Sequence, residues 1–216
     1  MPRVVCLEGP SAVGKTSLAA ALARECGAAV VPELDARGAP PVASSAGWFA
    51  DRHAELWRAA VEQTPDAPFA VLDGDPFKGL WYNWIYAGDG WPGPDAVAPA
   101  YRSHLERGTL GFPDLYVVLG ATEAHLRQRR ADDRTRSRRG FERHLRMVGP
   151  QRRYFVALQA AAPGRVAFVE SADREALVGR VLKALERLPP DPPDPVRLFD
   201  RMVEWVRSHS PADPAG

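Results

Sequence analysis

The sequence predicts an α/β protein in three layers, a parallel five-stranded sheet with helices on both faces, and three observations lead to that fold class. Short apolar runs bounded by turn residues alternate with longer stretches of helical periodicity across the 216 residues. The first run, Val4-Val5-Cys6-Leu7, leads into Gly9 to Thr16, G-P-S-A-V-G-K-T, and the helical stretch Leu18 to Ala23 follows. Acidic residues close the second and third runs, at Glu33 and Asp35 and then at Asp73 and Asp75. Parallel strands covered on both faces read as unbroken apolar runs, and ligands of such sheets lie at the carboxyl ends of the strands, where these residues emerge.

Gly9 to Thr16 matches the spacing G-x-x-x-x-G-K-[ST] between a strand and a helix, the context its chemistry requires. Glycine lets the backbone fold back with its N–H groups pointing inward. Those donors and the positive end of the new helix form an anion site for the β-phosphate of a nucleoside triphosphate. Gly9, Ser11, Ala12, Val13, Gly14, Lys15, Thr16 and Ser17 are the predicted triphosphate-binding residues. Lys15 reaches the β- and γ-phosphates, and Thr16 takes Mg²⁺.

The second strand, Ala28 to Val31, stops at Pro32-Glu33-Leu34-Asp35 and gives way to a Pro/Gly/Ser loop over residues 36 to 45. Ser45 is placed to cap a helix over Ala46 to Gln63. Phe69 to Leu72 is the third strand and ends in Asp73-Gly74-Asp75-Pro76. Leu115 to Leu119, introduced by Pro113-Asp114, is the fourth, followed by a helix from Glu123. Val166 to Val169 is the fifth, followed by a helix over Asp173 to Leu188. The proline-rich stretch Pro189 to Pro195 cannot continue a helix and reads as a stiff linker closing a domain over residues 1–188. In residues 196–216, Val196, Phe199, Val203 and Val206 share one face of an appended amphipathic helix, expected to dock on its own domain or on a second subunit.

Bulk properties narrow the partners. A net charge of +1 offers no general surface for nucleic acid or membrane. Cys6 and Cys26 make neither a disulfide framework nor a metal site, and His53, His104, His125, His144 and His209 show no metal-ligand spacing. No apolar run has the length of a signal peptide or a membrane span, so the expected location is the cytoplasm. The expected partner is a small molecule bound by a monomer or homodimer.

A triphosphate loop serves switches, motors and kinases alike, so the accompanying residues decide. Guanine-reading switches use Asn-Lys-x-Asp, and the only asparagine here is Asn83, in Tyr82-Asn83-Trp84-Ile85. Motor ATPases end a strand in Asp-Glu, whereas this one ends Asp73-Gly74-Asp75. Phosphoryl transfer to an acceptor needs an acceptor pocket, a carboxylate near the attacking hydroxyl and cations that cover the transferred group. Arg127 to Arg146 holds nine arginines against Asp132, Asp133 and Glu142, the composition of a mobile lid at about residues 127–141. Phe77 to Trp91 holds six of the 19 aromatic residues, either a stacking surface for a base or natural product or a packed helix.

The order of these elements resembles the P-loop nucleoside and nucleoside-monophosphate kinase group, particularly deoxynucleoside and thymidylate kinases, over residues 3 to 188. Pro32-Glu33, the aromatic helix segment Trp48-Phe49-Ala50-Asp51-Arg52, Asp73, Pro113-Asp114-Leu115 and the lid arginines carry the resemblance. It implies a three-layer P-loop kinase fold and transfer from Mg²⁺-bound ATP or GTP. Antibiotic O-phosphotransferases of the chloramphenicol phosphotransferase type share the architecture. The group carries Glu-Arg-Ser or Asp-Arg after the third strand, where this chain has Asp73-Gly74-Asp75, and an acid replacing that arginine disfavours a phosphorylated acceptor. The expected reaction is therefore phosphorylation of a hydroxyl on a nucleoside-like acceptor, including a nucleoside or other antibiotic in a self-resistance role. A monophosphate kinase is the alternative, and a switch or assembly ATPase the alternative of another class.

The expected roles follow. Lys15 and the lid residues Arg130, Arg134 and Arg138 stabilise the transferred phosphoryl; Thr16 and Asp73 hold Mg²⁺. Glu33 leads as the base, with Asp35 and Asp75 next or else hydrogen-bonded to substrate. Trp48, Arg52, Trp81 and Tyr82 are expected to form the acceptor wall.

Overall fold

The computed structural model describes residues 3–34, 39–40, 46–132, 140–170 and 174–212. Five strands form one sheet: β1 (Val4–Glu8), β2 (Ala29–Val31), β3 (Ala70–Asp73), β4 (Leu115–Gly120) and β5 (Val166–Glu170). Their spatial order is β2-β3-β1-β4-β5, and every pairing is parallel. The central β1 pairs with β3 and β4 and is buried along its whole length, which is why its sequence shows no polar alternation. The register sets Leu7 against Asp73, so the sheet itself places that carboxylate beside the exit of β1.

The helices are α1 (Lys15–Cys26), α2 (Ala46–Gln63), α3 (Lys78–Tyr86), α4 (Pro94–Glu106), α5 (Glu123–Asp132), α6 (Phe141–Arg146), α7 (Val148–Ala161), α8 (Arg174–Glu186) and α9 (Pro195–Ser208). Leu18 and Leu22 of α1 and Leu177 and Val181 of α8 share one core with Val5, Leu7 and Val117. Helices α3, α4, α7 and α9 build a second core with Cys6, Tyr116 and Val118, whose side chains alternate with the first set along β1 and β4. The chain leaves β1 toward one face and β3 toward the other, opening a crevice between the two loops at the carboxyl edge. No helix among the described residues is long and apolar enough to cross a membrane.

The aromatic segment after β3 is a packed helix. Phe77 and Trp81 are fully buried and Trp84 nearly so. Phe77 stacks on Phe112 with ring centroids 4.1 Å apart, and Trp81 meets Phe155 at 6.1 Å. Close approach of α3 to α4 depends on Gly79, where an added Cβ would lie 2.1 Å from the Tyr101 hydroxyl.

Helix α9 belongs to this same core. Leu198 and Met202 join Phe199, Val203 and Val206 in burial, and Phe199 packs against Phe77 at 5.6 Å. Asp194 caps the helix by accepting from the Arg197 N–H at 2.8 Å, with Pro195 in the first turn where its missing N–H costs nothing. The linker before it is fastened by buried Arg165, which donates to the carbonyls of Pro189 at 3.3 Å, Asp191 at 3.0 Å and Asp114 at 3.3 Å.

One buried acid knots the second core to the sheet edge. Asp75 is 2% exposed and accepts from the Phe77 N–H (2.9 Å), the Trp81 indole (2.8 Å) and the Tyr116 hydroxyl (3.2 Å). Burial pushes its pKa up to about 7 despite the Phe77 N–H, and the Glu8 charge adds to the rise.

Two predictions follow from this packing. Phe199→Ala should cost about 3–5 kcal/mol of unfolding free energy in denaturant titration. A loss below about 1 kcal/mol would show α9 to be dispensable to the core. For Asp75, the folded state holds a proton that the unfolded chain releases near pH 4, so this residue's contribution to stability falls as pH rises from about 4 to 7. The stability difference between wild type and Asp75→Asn should therefore shrink over that window, by up to about 1.4 kcal/mol per pH unit. Parallel stability–pH curves for the two proteins would contradict the buried, protonatable acid.

Candidate active site

The phosphate loop is built by backbone geometry that few residues tolerate. Gly9 (φ 139°), Ala12 (φ 69°) and Gly14 (φ 106°) all have positive φ, and a Cβ at Gly9 would lie 2.4 Å from the Leu119 carbonyl oxygen. Val13 is buried beneath the loop, while Ser11 is half-buried and Ser17 exposed. Lys15, at the first position of α1, donates from Nζ to the Gly9 carbonyl at 2.9 Å. The Thr16 hydroxyl donates to Asp73 Oδ2 at 2.8 Å, which joins the loop to the end of β3.

Asp73 Oδ1 is buried without a hydrogen-bond partner. Burial raises the Asp73 pKa against the opposing pull of Lys15 and Thr16. A buried, unpartnered carboxylate oxygen beside a threonine hydroxyl fits Mg²⁺, which takes oxygen ligands and keeps most of its shell for water and phosphate. Thr16 and Asp73 would hold the ion.

Beneath the loop lies Glu8, the last residue of β1 and wholly buried. Its Oε2 accepts from the Gly9 N–H and from Gln151 of α7, each at 2.9 Å, and its Oε1 accepts from the Asp75 N–H at 2.9 Å. Lys78 Nζ stands 3.8 Å from the same Oε1 and donates to Glu33 Oε1 at 3.2 Å. Burial works against the Lys78 ammonium, but Glu8 and Glu33 outweigh it and hold its pKa above the ordinary value. Partial desolvation at the cavity works against the Glu33 carboxylate even though its side chain is half exposed, and Lys78 and Lys15 overcome it, so its pKa lies below the ordinary value.

Glu33 and Lys78 face a cavity of about 240 Å³ at the carboxyl edge of the sheet. Residues 32–34 after β2, Phe49, His53 and Leu56 of α2, Leu72 to Asp75, Gly79, Tyr82 and Asn83 of α3, Trp91 and His144 of α6 complete its lining. Both histidines are held neutral. Burial brings His53 down to about 3, helped by Lys78, and its Nδ1 lies 2.7 Å from the Tyr101 hydroxyl. Burial with Lys78 and Lys15 brings His144 to about 4.

The structure brings Lys15, Thr16, Glu33, Asp73 and Tyr82 together and separates several other expected residues from them. Trp81 is fully buried behind Asp75 and does not border the cavity; Tyr82 does, meeting Trp91 edge-on at 5.0 Å. Asp75 borders the cavity, but its carboxylate is committed to the three donors of the aromatic core. On α2 the helical turn gives the wall position to Phe49, while Trp48 packs edge-on against that ring at 5.0 Å and Arg52 pairs with Glu55. Arg130 lies over the Phe141 ring at 4.7 Å and pairs with Glu142 at 3.2 Å. The neighbouring Arg129 reaches the phosphate loop instead, donating to the Val13 carbonyl at 2.9 Å. Asp35, Arg134 and Arg138 lie outside the described residues.

Lys78 was not among the residues expected at the site. Its signal was compositional: the chain has only three lysines, Lys15, Lys78 and Lys183, and otherwise meets its need for cations with arginine.

No protein-family model and no curated protein sequence matches the chain. Among solved structures it is similar to a deoxyadenosine kinase from M. mycoides, with TM-score 0.59 and 12% identity over 85% of this chain and 98% of that one. A thymidylate kinase from Candida albicans gives TM-score 0.58 and 13% identity over 86% and 91% of the two chains. The YorR protein from Bacillus subtilis, solved in complex with phosphorylated GDP, gives 0.54 and 13% over 85% and 95%. The parallel sheet, the phosphate loop at its centre and these likenesses establish that the chain has the P-loop nucleoside and nucleotide kinase-like fold.

Proposed function

We propose that the protein is a small-molecule kinase that transfers the γ-phosphoryl group of ATP or GTP to a hydroxyl of a nucleoside-like acceptor. The observation that carries this reading is the position of Asp73. Its carboxylate joins Thr16 of the phosphate loop and also borders the cavity that Glu33 faces, so donor and acceptor positions adjoin at one sheet edge. The likeness to a deoxyadenosine kinase and a thymidylate kinase supports the same reaction class.

Charge favours a hydroxyl acceptor over a phosphorylated one. Among the described residues bordering the cavity, Glu33, Asp73 and Asp75 are acids, His53 and His144 are neutral, and the single cation, Lys78, already faces Glu33 and Glu8. A dianionic phosphate entering that lining would meet no unspent positive charge. The aromatic and aliphatic wall of Phe49, Leu56, Tyr82 and Trp91 suits the flat, partly apolar body of a nucleoside, including a nucleoside antibiotic in a cytoplasmic self-resistance role.

Catalysis by such a site is mostly positioning and charge neutralisation. Lys15 and arginines of the lid cover the oxygens of the transferred group. Glu33, ionised at neutral pH, accepts the proton of the attacking hydroxyl at a carboxylate oxygen. Bound Mg²⁺ supplies further neutralisation of the phosphate oxygens.

The decisive experiment incubates the protein with Mg²⁺ and γ-labelled ATP or GTP against nucleosides, nucleoside monophosphates and nucleoside antibiotics. Label on a nucleoside or nucleoside antibiotic is the expected outcome. Label on monophosphates alone would overturn the hydroxyl preference, and acceptor-independent hydrolysis without labelled product would favour a switch. In the same assay Glu33→Gln should lower kcat by about 10²–10⁴-fold, the range for loss of a general base, and near wild-type turnover would remove Glu33 from that role.

A further inference from the structure

Lys78 occupies a position that neither the loop nor the base explains. Its side chain is 24% exposed and reaches into the cavity from the first turn of α3. Two carboxylates hold it: Glu8, wholly buried beneath the phosphate loop, and Glu33, whose side chain is 56% exposed at the cavity. Glu8 is itself fixed by the N–H groups of Gly9 and Asp75 and by Gln151, so one end of this chain of charges is rigid. The other end lies after β2, where Pro32 and Glu33 are exposed and Leu34 is half-buried.

We propose that Lys78 is the positioning residue of the acceptor site: anchored by Glu8, its ammonium holds the Glu33 carboxylate in place at the cavity. The inference rests on the reading of Glu33 as the base. Among the described residues, the charged and titratable groups facing Glu33 are Lys78 from α3, Lys15 from α1 and His144 from α6, with Asp73 on β3 across the same edge. Lys15 is engaged with the phosphate loop and His144 is neutral, which leaves Lys78, among the described residues, as the cation in direct contact with Glu33. The role differs from that of a cation binding an acceptor phosphate, because the ammonium's contacts are carboxylates of the protein itself, Glu33 at 3.2 Å and Glu8 at 3.8 Å.

The test combines Lys78→Met with Glu33→Gln. In the full-length protein, the Glu33 carboxyl pKa, read by carbon NMR, should rise in Lys78→Met to or above the ordinary value of about 4.3. The acid limb of the kcat profile should move to higher pH with it, and at neutral pH the loss should fall on kcat with the acceptor KM little changed. An unmoved Glu33 pKa overturns the proposal. So does a KM-only loss that is larger for monophosphates than for nucleosides, which would make Lys78 a phosphate contact. If Lys78→Met does not fold, the reciprocal measurement decides: the Lys78 pKa should fall in Glu33→Gln, and an unchanged value overturns the pair. Turnover of Glu33→Gln tests the base separately, since retained activity there sinks the base reading, whereas lost activity with an unmoved Glu33 pKa in Lys78→Met sinks only the role of Lys78.

Discussion

The buried carboxylate of Glu8 is the constraint on which the site depends. A charge taken wholly out of water is costly unless every lone pair and the charge itself are answered. Here the answers come from four elements: the first N–H of the phosphate loop, the N–H of Asp75 in the turn after β3, the amide of Gln151 on α7 and, at 3.8 Å, the ammonium of Lys78 on α3. Satisfying one acid therefore fixes the loop, the acceptor-side turn and two helices of the second core in one arrangement. The proposed in-line transfer would need such rigidity, since misplacement of reacting groups by an ångström costs orders of magnitude in rate.

The aromatic core gives this arrangement its backing. Phe77, Trp81, Tyr101, Phe155 and Phe199 are wholly buried, and Trp81 and Tyr116 also spend their polar atoms on Asp75. Asp75 thus faces two ways. Its backbone N–H serves Glu8, while its side chain is held by the core, so α9, far away in sequence, supports the turn through Phe199 and Phe77.

How much of this was legible in the sequence depended on whether the signal was local. The phosphate loop, the five strands and the helix over Ala46 to Gln63 rest on short-range periodicity and turn chemistry, and each appears where that chemistry puts it. The place of Asp73 at the cavity was legible because it closes a strand at the carboxyl edge of the sheet. The cavity lining was legible only in part, because which of two adjacent residues faces a cavity depends on the rotation of a packed helix: Tyr82 borders it as expected, but Phe49 does so in place of Trp48, and Trp81 does not. Asp75 misled for a related reason. An acid after a strand has the same appearance whether its side chain faces a ligand or is taken up by the donors of a distant tyrosine and an indole. Nor could the pairing of Glu8 with Lys78 be read without the fold, since it spans 70 residues of chain.

The choice of lysine at position 78, in a chain that otherwise relies on arginine, follows from the same electrostatics. A guanidinium presents a planar fork matched to phosphate or to a single bidentate carboxylate, and its five donors would be hard to satisfy between two carboxylates that approach from different elements. An ammonium is a compact charge that can be shared between two single contacts, at 3.2 and 3.8 Å here. Arginine at the loop-facing helix does the opposite work: Arg129 on α5 already bonds the Val13 carbonyl beside the phosphate loop. On the reading of Glu33 as the base, Lys78 stands where the protein's own acids must be balanced, so that an uncharged hydroxyl would meet an ionised carboxylate.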